Sequence, residues 1–342
     1  MASLRSAAAL LRPSLGTRAV HSAAGAAPTS TRGLLYYQSK KVPTSVRSTG
    51  LVGTLRDLSG SDGEFFGVDP VPVEVEIQDG RGMGFTLDDN GFCLLPHEWD
   101  HVDYNDNDQV VNKYYAECEA IVRRQTGASR VLAFDHNVRA KQRKDAGGRL
   151  RGGSAVQEPL ITYGVHNDYT LTSAPNRIQQ LAQPARSNDT YRADGSPIKP
   201  EEVETLLKGR WMFINVWRSI TDSPVERFPL AACDAQSVVL EDLVVFEIRY
   251  ADRVGENYFA RHSKNHRWYY FPRMIKDEVM LLKCWDSRGK DFQELELPEG
   301  KTSLKSVPAT FSLHSAFDDF ATPSQAPDRE SIEIRTIAFF EE

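Results

Sequence analysis

The stretch PLITYGVHNDYT, residues 159–170, marks the point beyond which strand-like segments follow one another almost without interruption. After PLITYGVH come RWMFINVWRSI, DLVVFEIRY, NYFARHS, RWYYFP, EVMLLKCWD, ATFSLHSAF and SIEIRTIAFF, rich in β-branched and aromatic residues and separated by turn-formers. Helical inserts are expected at about 174–184 and 200–208. This pattern predicts a mainly β chain with flanking helices, its core a double-stranded β-helix of jelly-roll, cupin-like form. The sequence contains no internal repeat.

Before residue 159 the signals are mixed. In VPVEVEIQ, residues 71–78, apolar and polar residues alternate, and Asp79-Gly80 and Asn90-Gly91 read as hairpin turns. Between about Asp108 and Gln125 the period lengthens: Val111, Tyr115, Cys118 and Val122 recur at helical spacing, with Gly127 as a stop. RVLAFDHNV reads as a buried strand, and the Gly- and Arg-rich stretch 139–158 as a mobile, solvated loop. The expected organisation is therefore residues 36–158 packing on a jelly-roll core at 159–342, the two forming one integrated domain.

Residues 1–35 stand apart. MASLRSAAALLRPSLGTRAVHSAAGAAPTSTRG carries Arg, Ser and Ala but no acid, and the first carboxylate of the chain is Asp57. Such a composition suits a mitochondrial import peptide; a disordered tail on a cytoplasmic protein is the alternative, and either reading leaves this segment out of the fold. The 342-residue chain has a formal net charge of −6, which supplies no cation excess for general nucleic-acid binding. Cys93, Cys118, Cys233 and Cys284 lie too far apart for a zinc knuckle and read as reduced intracellular thiols. No apolar run reaches the ~18 residues of a transmembrane span.

The chemistry is sought in the histidines. With 8 His and 25 Asp in the chain, chance supplies roughly 0.6 His-x-Asp triplets, so the triplet alone means little. His101-Val102-Asp103 lies in an acidic loop before a helix, where Asp is expected for capping. His166-Asn167-Asp168 instead ends a predicted strand, and residues i and i+2 of a strand share a face. His314, within FSLHSAF on a late strand, completes two histidines and one carboxylate. This is the facial set that holds non-haem iron(II) while leaving positions open for reactants. Fifteen residues on, Arg329 and Ser331 form an Arg-x-Ser pair. A guanidinium fork plus a hydroxyl is what the distal carboxylate of 2-oxoglutarate requires, with Arg335 as a rival anchor and Glu333 placed to neutralise it. Trp217, Tyr269, Tyr270 and Trp285 could line a substrate pocket, although strand aromatics more often fill a core.

Taken together, FDHNVR, VHNDYT, INVWRSI, PLAACDAQSV, NHRWYYFPRM, DEVMLLKCWDS, LHSAF and RESIEIR resemble the fungal hydroxylase/desaturase family typified by the aspergillic-acid pathway enzyme. That family is related to the gibberellin desaturase and to a cephamycin 7α-methoxylation component. The resemblance runs from about residue 70 to the end. It implies an iron(II)- and 2-oxoglutarate-dependent oxygenase that consumes O2 to hydroxylate or desaturate a small, often secondary, metabolite. Tyr169 stands where Gln is expected, and Leu313 and Ser219 where Pro is expected; Tyr169 and Leu313 adjoin the metal, so its surroundings differ from the family pattern. The alternatives are a non-catalytic binding protein on the same fold and an iron oxygenase that needs no 2-oxoglutarate.

Overall fold

The computed structural model describes residues 30–57, 62–99, 102–150, 155–186, 189–191, 196–291 and 308–341. Two sheets enclose the main core. One has five strands in the order Phe92–Pro96, Glu278–Asp286, Trp211–Ser219, Ser331–Phe339 and Arg130–Arg139, every neighbouring pair antiparallel. At the centre of the other lie Val254–Ala260, His166–Asn167, His314–Ala316 and Leu230–Cys233, again antiparallel. Arg130–Arg139, His166–Asn167, Trp211–Ser219 and Leu230–Cys233 alternate between the sheets in chain order. Val254–Ala260, Glu278–Asp286, His314–Ala316 and Ser331–Phe339 then do the same. That winding is the jelly roll.

Trp211–Ser219 is buried at all nine positions, which explains why WMFINVWRS reads as an almost continuous apolar run rather than an alternating one. Phe213 and Trp217 face the inter-sheet core with Leu282 and Ile337. Ile214 and Val216 face the other way, onto Cys118, Ile121 and Val122 of the helix Tyr115–Thr126. That helix follows continuously from Asn107–Gln109 and a π-helical turn at Val110–Tyr114, and ends at Gly127 in the left-handed conformation (φ 72°). The second sheet extends beyond the roll through Trp268–Tyr270, Pro70–Asp79 and Ser30–Gln38 on one flank and through Leu243–Arg249 on the other.

Several expectations are corrected. Ser30–Gln38 is a nine-residue strand paired along its length with Pro70–Asp79, so residues 30–35 belong to the fold. Leu35 and Tyr37 are buried there, a packing role that an acid-free composition does not reveal. Residues 1–29 lie outside the described residues. Asp79-Gly80 closes no hairpin, because Pro70–Asp79 takes its partners from Ser30–Gln38 and Trp268–Tyr270. The first strand of the roll, Arg130–Arg139, precedes residue 159, while RWYYFP and DLVVFEIRY flank the roll. In the stretch 139–158 a short helix forms at Lys141–Asp145, and Arg139 bridges to Gln157. The helical inserts appear at Ser173–Leu181 and Val203–Lys208.

Candidate metal and cosubstrate site

PLITYGVH is not one strand: Ile161–Tyr163 makes a 3-10 turn, and only His166–Asn167 joins the sheet. Gly164 between them has φ 98°, a conformation that L side chains rarely adopt. Its carbonyl oxygen accepts from Nδ1 of His166 at 2.8 Å, which leaves the Nε2 lone pair free to face inward. His314 lies directly across the ladder from His166, their rings 4.5 Å apart. Asp168, just past the strand end, brings Oδ1 to 3.8 Å from His166 Nε2. One donor atom from each of His166, Asp168 and His314 lies within 4.8 Å of the other two.

The electrostatics suit a cation. Burial and then the neighbouring His314 push the His166 imidazole down to about 3, so it is neutral and able to coordinate at ordinary pH. Burial alone would raise the Asp168 carboxyl. The Arg335 guanidinium, helped by both histidines and the Asn215 amide, overrides that and holds it well below the usual carboxylate range. Asn215 Nδ2 donates to Asp168 Oδ2 at 2.8 Å, and Arg335 Nε donates to the same oxygen at 3.1 Å.

Arg335 is also committed elsewhere: Nη1 donates to Asp135 at 2.9 Å and Nη2 lies 3.4 Å from Glu333. Arg329 is differently placed. It is buried with its Nη1 donating to the Phe228 carbonyl, its guanidinium 5.6 Å from the centre of the Trp217 ring, and its Nε without a partner among the described residues. Burial, then repulsion from Arg139, lowers its pKa to about 9. Ser331, also buried, opens the last strand beside it.

His166, Asp168, His314, Arg329, Glu333 and Arg335 line a cavity of about 800 Å3, a volume suited to a small organic molecule plus a cosubstrate; Ser331 and Asn215 lie behind this lining. Of the four aromatics singled out above, only Trp217 lines it. Tyr269 packs on Phe85, Tyr270 on Phe317 and Trp285 on Phe311, so these three belong to the core. Tyr169, the departure next to Asp168, stacks on Phe213 at 4.2 Å and lines the cavity. His101 lies outside the described residues. His136 is buried against the Tyr115 hydroxyl, and His262 and His266 sit around Tyr37.

Four contributors escaped the sequence reading. Asn215 was signalled by one amide in the middle of an apolar strand. Asp135, Asn137 and Arg139 all line the cavity, at alternate positions of RVLAFDHNVR that mark its polar face.

The fold is a jelly roll, and its convergent pair of histidines and one carboxylate matches the facial set that holds non-haem iron(II) in oxygenases. Comparison with known proteins narrows this. A family model described as an oxidoreductase/YMDC permease-like domain matches residues 60–339. The alpha-ketoglutarate-dependent dioxygenase phiK of a fungal species is 30% identical over 276 residues, covering 78% of this chain and 83% of phiK. The hydroxylase/desaturase asaB of Aspergillus flavus is 30% identical over 178 residues, 48% of this chain and 71% of asaB. The solved structure of the iron and alpha-ketoglutarate-dependent endoperoxidase NvfI superposes with a TM-score of 0.67 at 22% identity, covering 92% of this chain and 99% of that one. The chain belongs to the asaB-type hydroxylase/desaturase family of iron(II)/2-oxoglutarate oxygenases.

Proposed function

We propose that this chain oxidises an unactivated C–H position of a small, metabolite-sized substrate, with iron(II) held by His166, Asp168 and His314. The distal carboxylate of 2-oxoglutarate is assigned to Arg329 with Ser331. One observation carries the second assignment: Arg329 faces the cavity as a buried cation whose described contacts are a carbonyl and an aromatic ring, with a donor to spare. A buried charge in that condition is costly until an anion arrives. Arg335, with three acids of its own, has no such need.

When bound, iron(II) and 2-oxoglutarate together supply the oxidising power. One O2 oxygen would enter succinate as 2-oxoglutarate loses CO2, and the other would enter the hydroxylated product or, in desaturation, leave as water with the two hydrogens removed. The protein's own residues prepare the site for this. Gly164 fixes the His166 tautomer; Asn215 and Arg335 hold one Asp168 oxygen so that the other is free for the metal; Trp217 and Tyr169 give the cavity an aromatic lining. Residues 1–29 we assign, on composition, to mitochondrial import.

The test is anaerobic iron(II) binding to the purified protein, followed by succinate assay. One iron per chain is expected, lost in His166→Ala, Asp168→Ala and His314→Ala but kept in His101→Ala. Iron-dependent turnover without succinate would favour the oxygenase that needs no 2-oxoglutarate; the absence of iron binding would leave the non-catalytic alternative.

A further inference from the structure

The inner face of the last two neighbouring strands is a ladder of polar pairs. In the register of Arg130–Arg139 with Ser331–Phe339, Asp135 stands opposite Arg335, Asn137 opposite Glu333, and Arg139 opposite Ser331. The first rung is an ion pair at 2.9 Å. The third is not: Arg139 meets a hydroxyl-bearing residue across the ladder, and Arg329 lies two residues beyond that partner. Arg139 and Arg329 both line the cavity, and no carboxylate lies within 4 Å of either guanidinium among the described residues.

Arg139 Nη1 donates to the Gln157 side-chain oxygen at 2.9 Å and to the Glu158 carbonyl at 3.3 Å, both neutral acceptors. These bonds aim the guanidinium without discharging it. Burial lowers its pKa against the more distant pull of the Glu333 carboxylate, and Arg139 is in turn the charge that, after burial, lowers Arg329, again partly opposed by Glu333. Two like charges on adjacent strands repel. The fold tolerates this because Gln157, Glu158 and Phe228 hold both side chains in place.

We infer that Arg139 is a second cosubstrate-binding residue, and that the distal carboxylate of 2-oxoglutarate is clamped between the Arg139 and Arg329 guanidiniums with Ser331 beneath it. The inference rests on the 2-oxoglutarate reading above and adds a residue from the opposite strand. The geometry suits it: a residue directly across an antiparallel pair has its Cβ about 5 Å away, so an anion touching Ser331 falls within reach of the Arg139 side chain. A carboxylate has two oxygens and can take one fork on each. Binding would convert a mutually repelling cation pair into a cation–anion–cation set.

The experiment titrates 2-oxoglutarate into the anaerobic iron(II) complex, following its charge-transfer band, for wild type, Arg139→Gln, Arg139→Lys, Arg329→Gln and the double Gln variant. Iron stoichiometry and thermal stability establish that each variant is folded. A 2-oxo acid lacking the distal carboxylate, 2-oxobutanoate, serves as the control ligand. Arg139→Gln is expected to weaken 2-oxoglutarate roughly 10- to 100-fold, as befits a lost hydrogen bond to a charged group, with 2-oxobutanoate unchanged. Arg139→Lys should recover part of the loss, and the double variant should lose clearly less than the product of the two single effects. If Arg329→Gln weakens 2-oxoglutarate while Arg139→Gln does not, the clamp is wrong and the single anchor stands. Equal weakening of both ligands by Arg139→Gln also overturns it, because the residue would then act on the site as a whole. If neither arginine matters, the anchor reading falls together with the clamp.

Discussion

Replacing Arg335 by Met removes the shared counterion of Asp168, Asp135 and Glu333 while keeping a stem of similar length. Asp168 would retain the Asn215 amide, and Asp135 the Thr190 hydroxyl and the His136 backbone N–H. Three carboxyl groups would then face one another with no guanidinium between them. Breaking a buried pair by removing one partner costs about 3–5 kcal/mol, which is much of the ~5–15 kcal/mol stability of an ordinary domain. Iron(II) brings two positive charges to Asp168 and can replace part of what Arg335 supplied. The metal-free variant should therefore lose more stability than the metal-loaded one, and iron should raise the melting temperature of Arg335→Met more than that of wild type. The assay is thermal and urea unfolding of both forms under anaerobic conditions. An iron-induced shift no larger than in wild type, with apo stability unchanged, would refute Arg335 as the counterion of this cluster.

Arg329→Ala should raise the 2-oxoglutarate requirement by about 30- to several-thousand-fold, from the ~2–5 kcal/mol of a lost buried charged contact, with iron affinity nearly unchanged. His136, pushed by burial from 6.5 to about 4, binds protons in the unfolded chain before it does so in the folded one. Its contribution is therefore complete above pH 6.5 and lost as pH falls toward 4, on the order of 3 kcal/mol at most. Urea unfolding across that window should show the fall, and His136→Phe should reduce it by His136's share, since His166 and His266, also pushed down by burial, lose stability over the same range. Deletion of residues 1–29 should leave the fold and iron binding intact. Deletion through Gln38 should not, because it strips out buried Leu35 and Tyr37 and the 2.8 Å bond from Trp268 to the Tyr37 hydroxyl; melting temperature and solubility separate the two. Residues 1–45 fused to a fluorescent protein should direct it to mitochondria, and a diffuse cytosolic signal would remove the import assignment.

The sequence by itself determined the elements whose signals are local. The apolar runs at Trp211–Ser219, Glu278–Asp286 and Ser331–Phe339 announced buried strands, and the three- and four-residue spacing through Val111, Tyr115, Cys118 and Val122 announced the helix. Residue type and order singled out His166, Asp168 and His314 among eight histidines and 25 aspartates, and the fold brings one donor atom of each within 4.8 Å of the others. Ion pairing of Arg335 with Glu333 also followed from strand parity alone.

What the sequence left open depended on which distant strands become neighbours. Ser30–Gln38 reads as part of an acid-free leader until Pro70–Asp79 lies against it and Leu35 finds a core. The sequence favours Arg329 over Arg335 through the local Glu333 and Ser331; that Arg335 also engages Asp135 and Asp168, both more than 160 residues away in the chain, came from the fold. Arg139 became a site residue only because register sets it across from Ser331. Strand parity says which side a residue faces, but the charge it meets there comes from other strands, brought near by hydrogen-bonded pairing over long loops. That pairing is a property of the whole fold.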